Sequence, residues 1–316
     1  MSRCSEKPLT EGQQLHNHFL EWRTVRDIDR QVSKVLDDLG DPEPPLRLEV
    51  VRELLCLDLD YYSASDSGIL QETVHRLKMA GKQIITRPSR LIDVLKKCDL
   101  RALWMPDRKR ILIDSALPSP RQRWAEAHEI GHSVIPWHEA VMHGDKERTL
   151  SYACHQRIEA EANFAAGRLL FMQEEFSERL RSKPITFDSV HRLRRAFGNS
   201  MTSTLWRTVE TADSPVLGMV SQHPRKALPT PRAIRYFIRS RAFEDRFGNV
   251  TGHRVLCALH GLCYGNRGPI GHGEAVLPDV NGQKHVFFLE TFYNHHDALT
   301  LGVHRRACST AVIVPG

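Results

Sequence analysis

Apolar residues recur every three or four positions through most of residues 15–211, the period of helices with one buried face. Leu15, Phe19, Trp22, Val25 and Ile28 predict a first helix, closed by Gly40 and the Pro-containing break at 41–45. Leu46–Leu55 and Leu70–Met79 read as two more, and Leu91, Val94, Leu95 and Leu100 share one face of a fourth after Pro88. The period then changes: Ala102–Met105 and Arg110–Asp114 are short apolar runs flanking Pro106-Asp107-Arg108-Lys109, a β-hairpin signature. Ser119 followed three residues on by Gln122, with Pro120 between them, reads as a capping box that launches a helix, which Pro136 stops after Ile135. Helices are expected next at Ser151–Met172, Phe187–Phe197 and Met201–Thr211, the last two hinged at Gly198-Asn199-Ser200. Beyond Ser214-Pro215 the pattern turns strand-like, as in Val286–Leu289, Leu299–Val303 and Ala311–Val314. The fold expected is α+β: a mostly helical domain with a small β-hairpin or sheet at 1–213, then a smaller strand-rich α+β domain at 214–316.

Composition narrows the function classes. The chain has 316 residues, 41% of them hydrophobic, and a formal charge of +6, an ordinary globular mix. No apolar run of about 18 residues is present, so a membrane-spanning helix and a membrane partner are not expected. The first residues lack the apolar stretch of a secretory leader, and the seven cysteines have no regular spacing. A cytoplasmic protein without a disulfide framework is the expectation. Seventeen histidines are unusual, and they carry meaning only where they converge.

Two of them do so inside the capped helix, in His128-Glu129-Ile130-Gly131-His132, an HExxH match. Residues four apart on a helix lie one above the other, so both imidazoles can reach one zinc ion. Glu129, next to the first of them, is placed to take a proton from a water at the metal. Gly131 costs about 1 kcal/mol relative to Ala within a helix, which points to something packed closely against that turn.

A catalytic zinc takes a third protein ligand and leaves a position open. His138 has the metzincin spacing, but Ile135 stands where that pattern uses Gly to turn the chain. Glu159 and Glu161 lie 27 and 29 residues beyond His132, on the second long helix. Spacing favours Glu159, which shares a face with Ala162, Asn163, Ala166, Leu169 and Leu170. Glu161 points roughly 200° away, onto a face expected to be solvated.

Several segments resemble the ImmA/IrrE family of zinc metallopeptidases. They are Arg110-Ile111-Leu112-Ile113-Asp114, the run Arg121-Gln122-Arg123-Trp124-Ala125-Glu126-Ala127 leading into the HExxH motif, and Glu159-Ala160-Glu161-Ala162-Asn163-Phe164-Ala165-Ala166-Gly167-Arg168-Leu169-Leu170. Ala165 and Met172 depart from the family pattern, as do Trp124 and Ala125, at positions that concern packing more than ligation. The resemblance implies a zincin-like core, one zinc ion on His128, His132 and Glu159, and Glu129 as catalytic base. It also implies an intracellular endopeptidase whose protein substrate is a regulator, as with the family's transcriptional repressors. Tyr152, His155 and His138 are candidates for stabilising the oxyanion by nearness in sequence alone.

Two regions point elsewhere. Between Arg179 and Arg207 there are seven basic residues against one acidic, Asp188, so a DNA-contacting helical pair within a basic 179–246 region is the competing reading, with a structural metal. The spread of Arg192, Arg194 and Arg195 over several faces of one helix favours a solvated hairpin instead. His253, Cys257, His260 and Cys263 lie close together but match no zinc module, and read as core cysteines and surface histidines. By analogy with relatives, residues 214–316 are expected to be regulatory.

Overall fold

The computed structural model describes residues 15–16, 20–62, 102–106, 109–142, 152–226 and 229–308. The helices expected at Leu70–Met79 and after Pro88, and the strand at Ala311–Val314, lie outside these. No described helix is long and apolar enough to cross a membrane. The chain forms two compact units, one of residues 19–175 and one of residues 1–18 with 176–316. The division at 175/176 differs from the boundary expected near 213.

Leu15–His16 forms a short strand, β1, rather than the start of a helix, and belongs to the discontinuous unit. In the unit of residues 19–175, α1 (Trp22–Asp38) buries Ile28, Val32, Val35 and Leu36 on one face, while Trp22 is exposed. After α2 (Leu48–Leu55) comes a three-stranded sheet of β2 (Asp58–Tyr62), β3 (Ala102–Met105) and β4 (Arg110–Asp114), in the order β2-β4-β3. The hairpin β3–β4 is antiparallel as expected; β2, which the sequence pattern does not reveal, adds parallel to β4. Central β4 buries Ile111, Leu112 and Ile113, each contributing about 1.5–3 kcal/mol by leaving water.

The helix α3 (Ser119–Val134) packs on β3 and β4. Its expected capping box is absent: Pro118 is the N-cap, and Gln122 Nε2 instead donates to the Ser115 carbonyl at 3.3 Å. Arg121 and Gln122 donate their N–H groups to the Pro118 carbonyl at 2.7 and 3.0 Å, so the first turn is satisfied by backbone. Ile135 is extended, as a residue before proline prefers, and Pro136 opens a new short helix, α4 (Pro136–Met142). The longer α5 (Tyr152–Leu170) crosses α3 and is tied to α1 by Arg168 Nε on Asp29 at 2.5 Å. Arg52 Nε on Glu126 at 2.6 Å ties α2 to α3.

The helix α6 (Glu174–Arg181) spans the division. In the discontinuous unit, α7 (Phe187–Phe197) and α8 (Met201–Thr211) form the expected pair, with Gly198 between them at φ +65°, a conformation glycine adopts without strain. A six-stranded sheet follows from β5 (Val216–Ser221), β6 (Ile234–Arg239), β7 (Gly268–Pro278), β8 (Lys284–Tyr293) and β9 (Ala298–Ala307), in the order β1-β6-β5-β9-β8-β7. The helices α9 (Arg241–Phe247) and α10 (Gly252–His260) come between β6 and β7.

Every residue of β5 is buried, and its alternation sorts two cores. Val216 and Val220 join Phe187, Val190, Leu205 and Val209 of the helical pair. Leu217 and Met219 join Phe243, Phe247, Val255, Leu256 and Leu259 of α9 and α10. The helical pair is therefore a layer on this sheet, which explains the division at 175/176. An amphipathic helix displays its apolar face without naming the partner that covers it.

A reciprocal capping box does form at α7: Thr186 Oγ1 accepts from Ser189 N at 3.2 Å, and Ser189 Oγ accepts from Thr186 N at 3.0 Å. Thr186→Ala is expected to lower stability in urea unfolding by about 1 kcal/mol, whereas an unchanged midpoint would show the cap to be idle.

Several arginines of the basic segment are already paired. Arg192 meets Asp188 at 2.7 Å, Arg239 meets Glu244 at 2.6 Å, and Arg207 is buried. In the C-terminal cluster, Cys263 belongs to the core and His253 Nε2 donates to the Pro229 carbonyl at 2.8 Å.

Candidate metal centre

At Gly131 the backbones of α3 and α5 come close together. A Cβ there would lie 2.7 Å from the Ala162 carbonyl oxygen and 3.4 Å from both Ala165 Cβ and Ala166 N. The small-residue face of α5 and the glycine of α3 thus meet, and the donors carried by the two helices are brought together. His128, His132 and Glu159 each offer one ligand atom, all within 4.8 Å of one another, the only such trio of His, Cys, Asp or Glu among the described residues.

The three side chains come close enough to share one ion. Nε2 of His128 and Nε2 of His132 are 3.2 Å apart. Glu159 Oε2 is 3.2 Å from the first and its Oε1 is 3.6 Å from the second. Zn–N and Zn–O bonds of about 2.0–2.2 Å give tetrahedral edges of about 3.3–3.6 Å. His128 Nδ1 lies 3.0 Å from Asn163 Oδ1, so that ring donates its Nδ1 proton and turns the Nε2 lone pair inward. Two imidazoles and one carboxylate are a protein donor set known from catalytic zinc sites, which leave a fourth position for water.

The electrostatics agree with a cation at this point. Glu129 is buried beside His128, and burial pushes its carboxyl up to about 7 against the opposing influence of His128, with Glu159 adding to the rise. Trp104, on edge strand β3, donates its backbone N–H to Glu129 and works in the opposite direction. Burial disfavours a charged His128, yet its hydrogen bond to Glu159 and the nearby Glu129 charge prevail and hold its pKa above the ordinary value. The carboxylates of Glu129 and Glu159 flank His128, an arrangement that favours positive charge there.

The two alternatives for the third ligand stand elsewhere. His138, fully buried, has its Nδ1 3.0 Å from Nδ1 of His132, on the side of that ring facing away from Glu159. Glu161, expected on a solvated face, is only 1% exposed and accepts from His138 Nε2 at 3.0 Å, Trp137 Nε1 at 2.6 Å and Arg157 Nε at 2.8 Å. Burial raises the Glu161 carboxyl, but those three hydrogen bonds outweigh it and hold the group at about 2. The correction has a simple cause: α4 folds back after Pro136 and covers that face of α5 with Trp137 and His138. His138 is thereby also removed as an oxyanion candidate. The side chains of Tyr152 and His155 lie outside the described residues. Asn163, Trp137 and the Trp104 backbone were not singled out by sequence reasoning. Of the Glu161 partners only Arg157, four residues earlier on the same helix, left a readable signal.

Comparison with known proteins agrees with this geometry. Residues 79–208 match the Peptidase_M78 family, described as the IrrE N-terminal-like domain. No curated protein matches the chain. Among solved structures, a Mycobacterium tuberculosis transcriptional regulator is similar with a TM-score of 0.52 and 14% sequence identity, over 88% of this chain and 76% of that one. At that identity the likeness speaks for the fold alone. The family match runs through both helices of the candidate centre and on into the α7–α8 pair, so residues 79–208 are similar to the IrrE N-terminal-like domain.

Proposed function

We propose that the protein is an intracellular zinc endopeptidase that hydrolyses a peptide bond in a regulatory protein, the repressor class of substrate following from its family. The observation that carries this reading is the convergence of His128, His132 and Glu159, whose ligand atoms lie within 4.8 Å of one another, with Glu129 adjacent and buried. The chemistry that zinc supplies when bound there is polarisation of a carbonyl and a water of lowered pKa, near ~7.

The chain's own residues do the rest. Glu129 takes a proton from the attacking water at its carboxylate as the oxygen joins the carbonyl carbon. It then returns that proton to the leaving nitrogen as the C–N bond breaks, leaving a carboxylic acid and an amine. Trp104 steadies Glu129 through its backbone N–H, and Asn163 fixes the tautomer of His128. Residues 214–316 are proposed to regulate this activity, again by family analogy.

Metal content tests the reading. The purified protein is expected to hold one equivalent of zinc and to lose its cleavage activity when chelated. Zinc at a thousand-fold excess over its Kd should stabilise the metal-free protein by about 4.1 kcal/mol in thermal unfolding, and His132→Ala should abolish that gain. A native protein that takes up no zinc and gains no stability from it would end the proposal.

A further inference from the structure

We propose that His138 and Glu161 form a relay that sets the tautomer and direction of His132, making them positioning residues for the metal centre. This rests on the reading of His128, His132 and Glu159 as ligands. An imidazole that ligates through Nε2 carries its proton on Nδ1. In His132 that nitrogen faces another ring nitrogen, His138 Nδ1, at 3.0 Å. Two ring nitrogens at this distance need one donor and one acceptor. Which is which is decided at the far end of the chain.

His138 Nε2 lies 3.0 Å from Glu161 Oε2. Trp137 Nε1–H donates to the same oxygen at 2.6 Å, and Arg157 Nε–H donates to the other at 2.8 Å. A carboxylate surrounded by donors is an acceptor only. His138 therefore donates from Nε2, is left with a lone pair on Nδ1, and accepts the Nδ1 proton of His132. Both protons point from the metal side toward Glu161, and the Nε2 lone pair of His132 points toward His128 and Glu159.

Water cannot substitute easily for any member. The side chains of His132, His138 and Glu161 are 5%, 0% and 1% exposed. The two ligand histidines are thus held by different means, His128 by a neutral amide and His132 by an imidazole backed by a carboxylate. Metal sites that lose such an outer partner bind their ion roughly 10- to 100-fold more weakly.

The decisive atom is the acceptor at position 138, and two substitutions separate it from bulk. His138→Asn places an amide oxygen close to the position of Nδ1, whereas His138→Leu fills the space without an acceptor. Zinc affinity, read by competition with a chromophoric chelator, is expected to fall roughly 10- to 100-fold in His138→Leu and to recover most of that loss in His138→Asn. Equal affinities in both variants, whether native or weakened, would overturn the relay, because packing alone would then account for the result. A second readout needs no substitution: ring 15N spectra of the zinc-loaded native protein should show His138 neutral and protonated on Nε2. Protonation of His138 on Nδ1 would overturn the proposal even if His138→Leu does not fold. Native protein that binds no zinc would instead sink the metallopeptidase reading on which the relay depends.

Discussion

The Glu129→Gln protein is expected to take up one equivalent of zinc as the native chain does, and to cleave its target roughly 10²- to 10⁴-fold more slowly. The amide matches the carboxylate in shape, and its oxygen can still accept the Trp104 N–H that holds the native side chain in place. What it loses is basicity. An amide cannot accept the water proton during attack, so the transition state loses its proton acceptor while the three candidate metal donors stay untouched. The substrate site is unaltered too, so the variant should hold its target without cutting it and bring it through purification. Mass spectrometry of zinc content and a cleavage time course on the same preparation measure both halves. Native-rate cleavage by the zinc-loaded variant would place the base on another residue.

A substitution that touches no donor should damage the centre almost as much. Gly131→Val adds its Cβ 2.7 Å from the Ala162 carbonyl oxygen, a backbone atom that cannot rotate away, and the branching methyls enlarge the conflict. Helix propensity favours the change by only a few tenths of a kcal/mol, since valine is itself a modest helix former. Overpacking of this kind costs typically 1–3 kcal/mol, so the net effect is loss. Gly131→Ala is the milder case. It places the same Cβ 2.7 Å from that backbone oxygen without the branching methyls, so its gain of about 1 kcal/mol in propensity offsets only part of an overpacking cost of about 1–3 kcal/mol. The larger consequence for valine concerns the metal. His128 and His132 sit on α3 while Glu159 sits on α5, and spreading the helices stretches the edges between 3.2 and 3.6 Å that now suit one ion. Denaturant unfolding and zinc titration of both variants should show alanine impaired in each and valine impaired further. Native behaviour of Gly131→Val in both measurements would mean that the helices do not meet at that glycine.

The sequence was most legible where periodicity and spacing report a single helix. His128 and His132 are four apart, the hairpin β3–β4 is bracketed by turn residues, and the α7–α8 pair falls where its apolar residues and Gly198 place it. Glu159 was legible through its neighbours, because the alanines on its face foretell a close crossing and Gly131 supplies the opposite half. Glu161 was not. A helical wheel gives the direction of a side chain, yet whether that direction meets water or protein depends on α4, whose return after Pro136 no local pattern announces. The cap of α3 failed for a related reason: Ser119 and Gln122 have the right spacing, but the Pro118 carbonyl already serves the Gln122 amide that the Ser119 side chain would engage. The unit boundary is also a tertiary matter, since the faces of α7 and α8 are satisfied by β5, β6 and β9.

The short strand β1 has a consequence for dissecting the chain. Leu15 and His16 pair in parallel with Tyr236 and Phe237, so the outer edge of β6 is closed by residues far upstream in sequence. The unit is assembled from two separated stretches, and no single cut releases it whole. A fragment beginning at Phe176 would keep the helical layers on both faces of the sheet but leave β6 with unpaired amides and carbonyls, an adhesive border open to any extended strand. The first stretch is therefore a sealing strip for the second, and the two are best inherited, expressed and altered together.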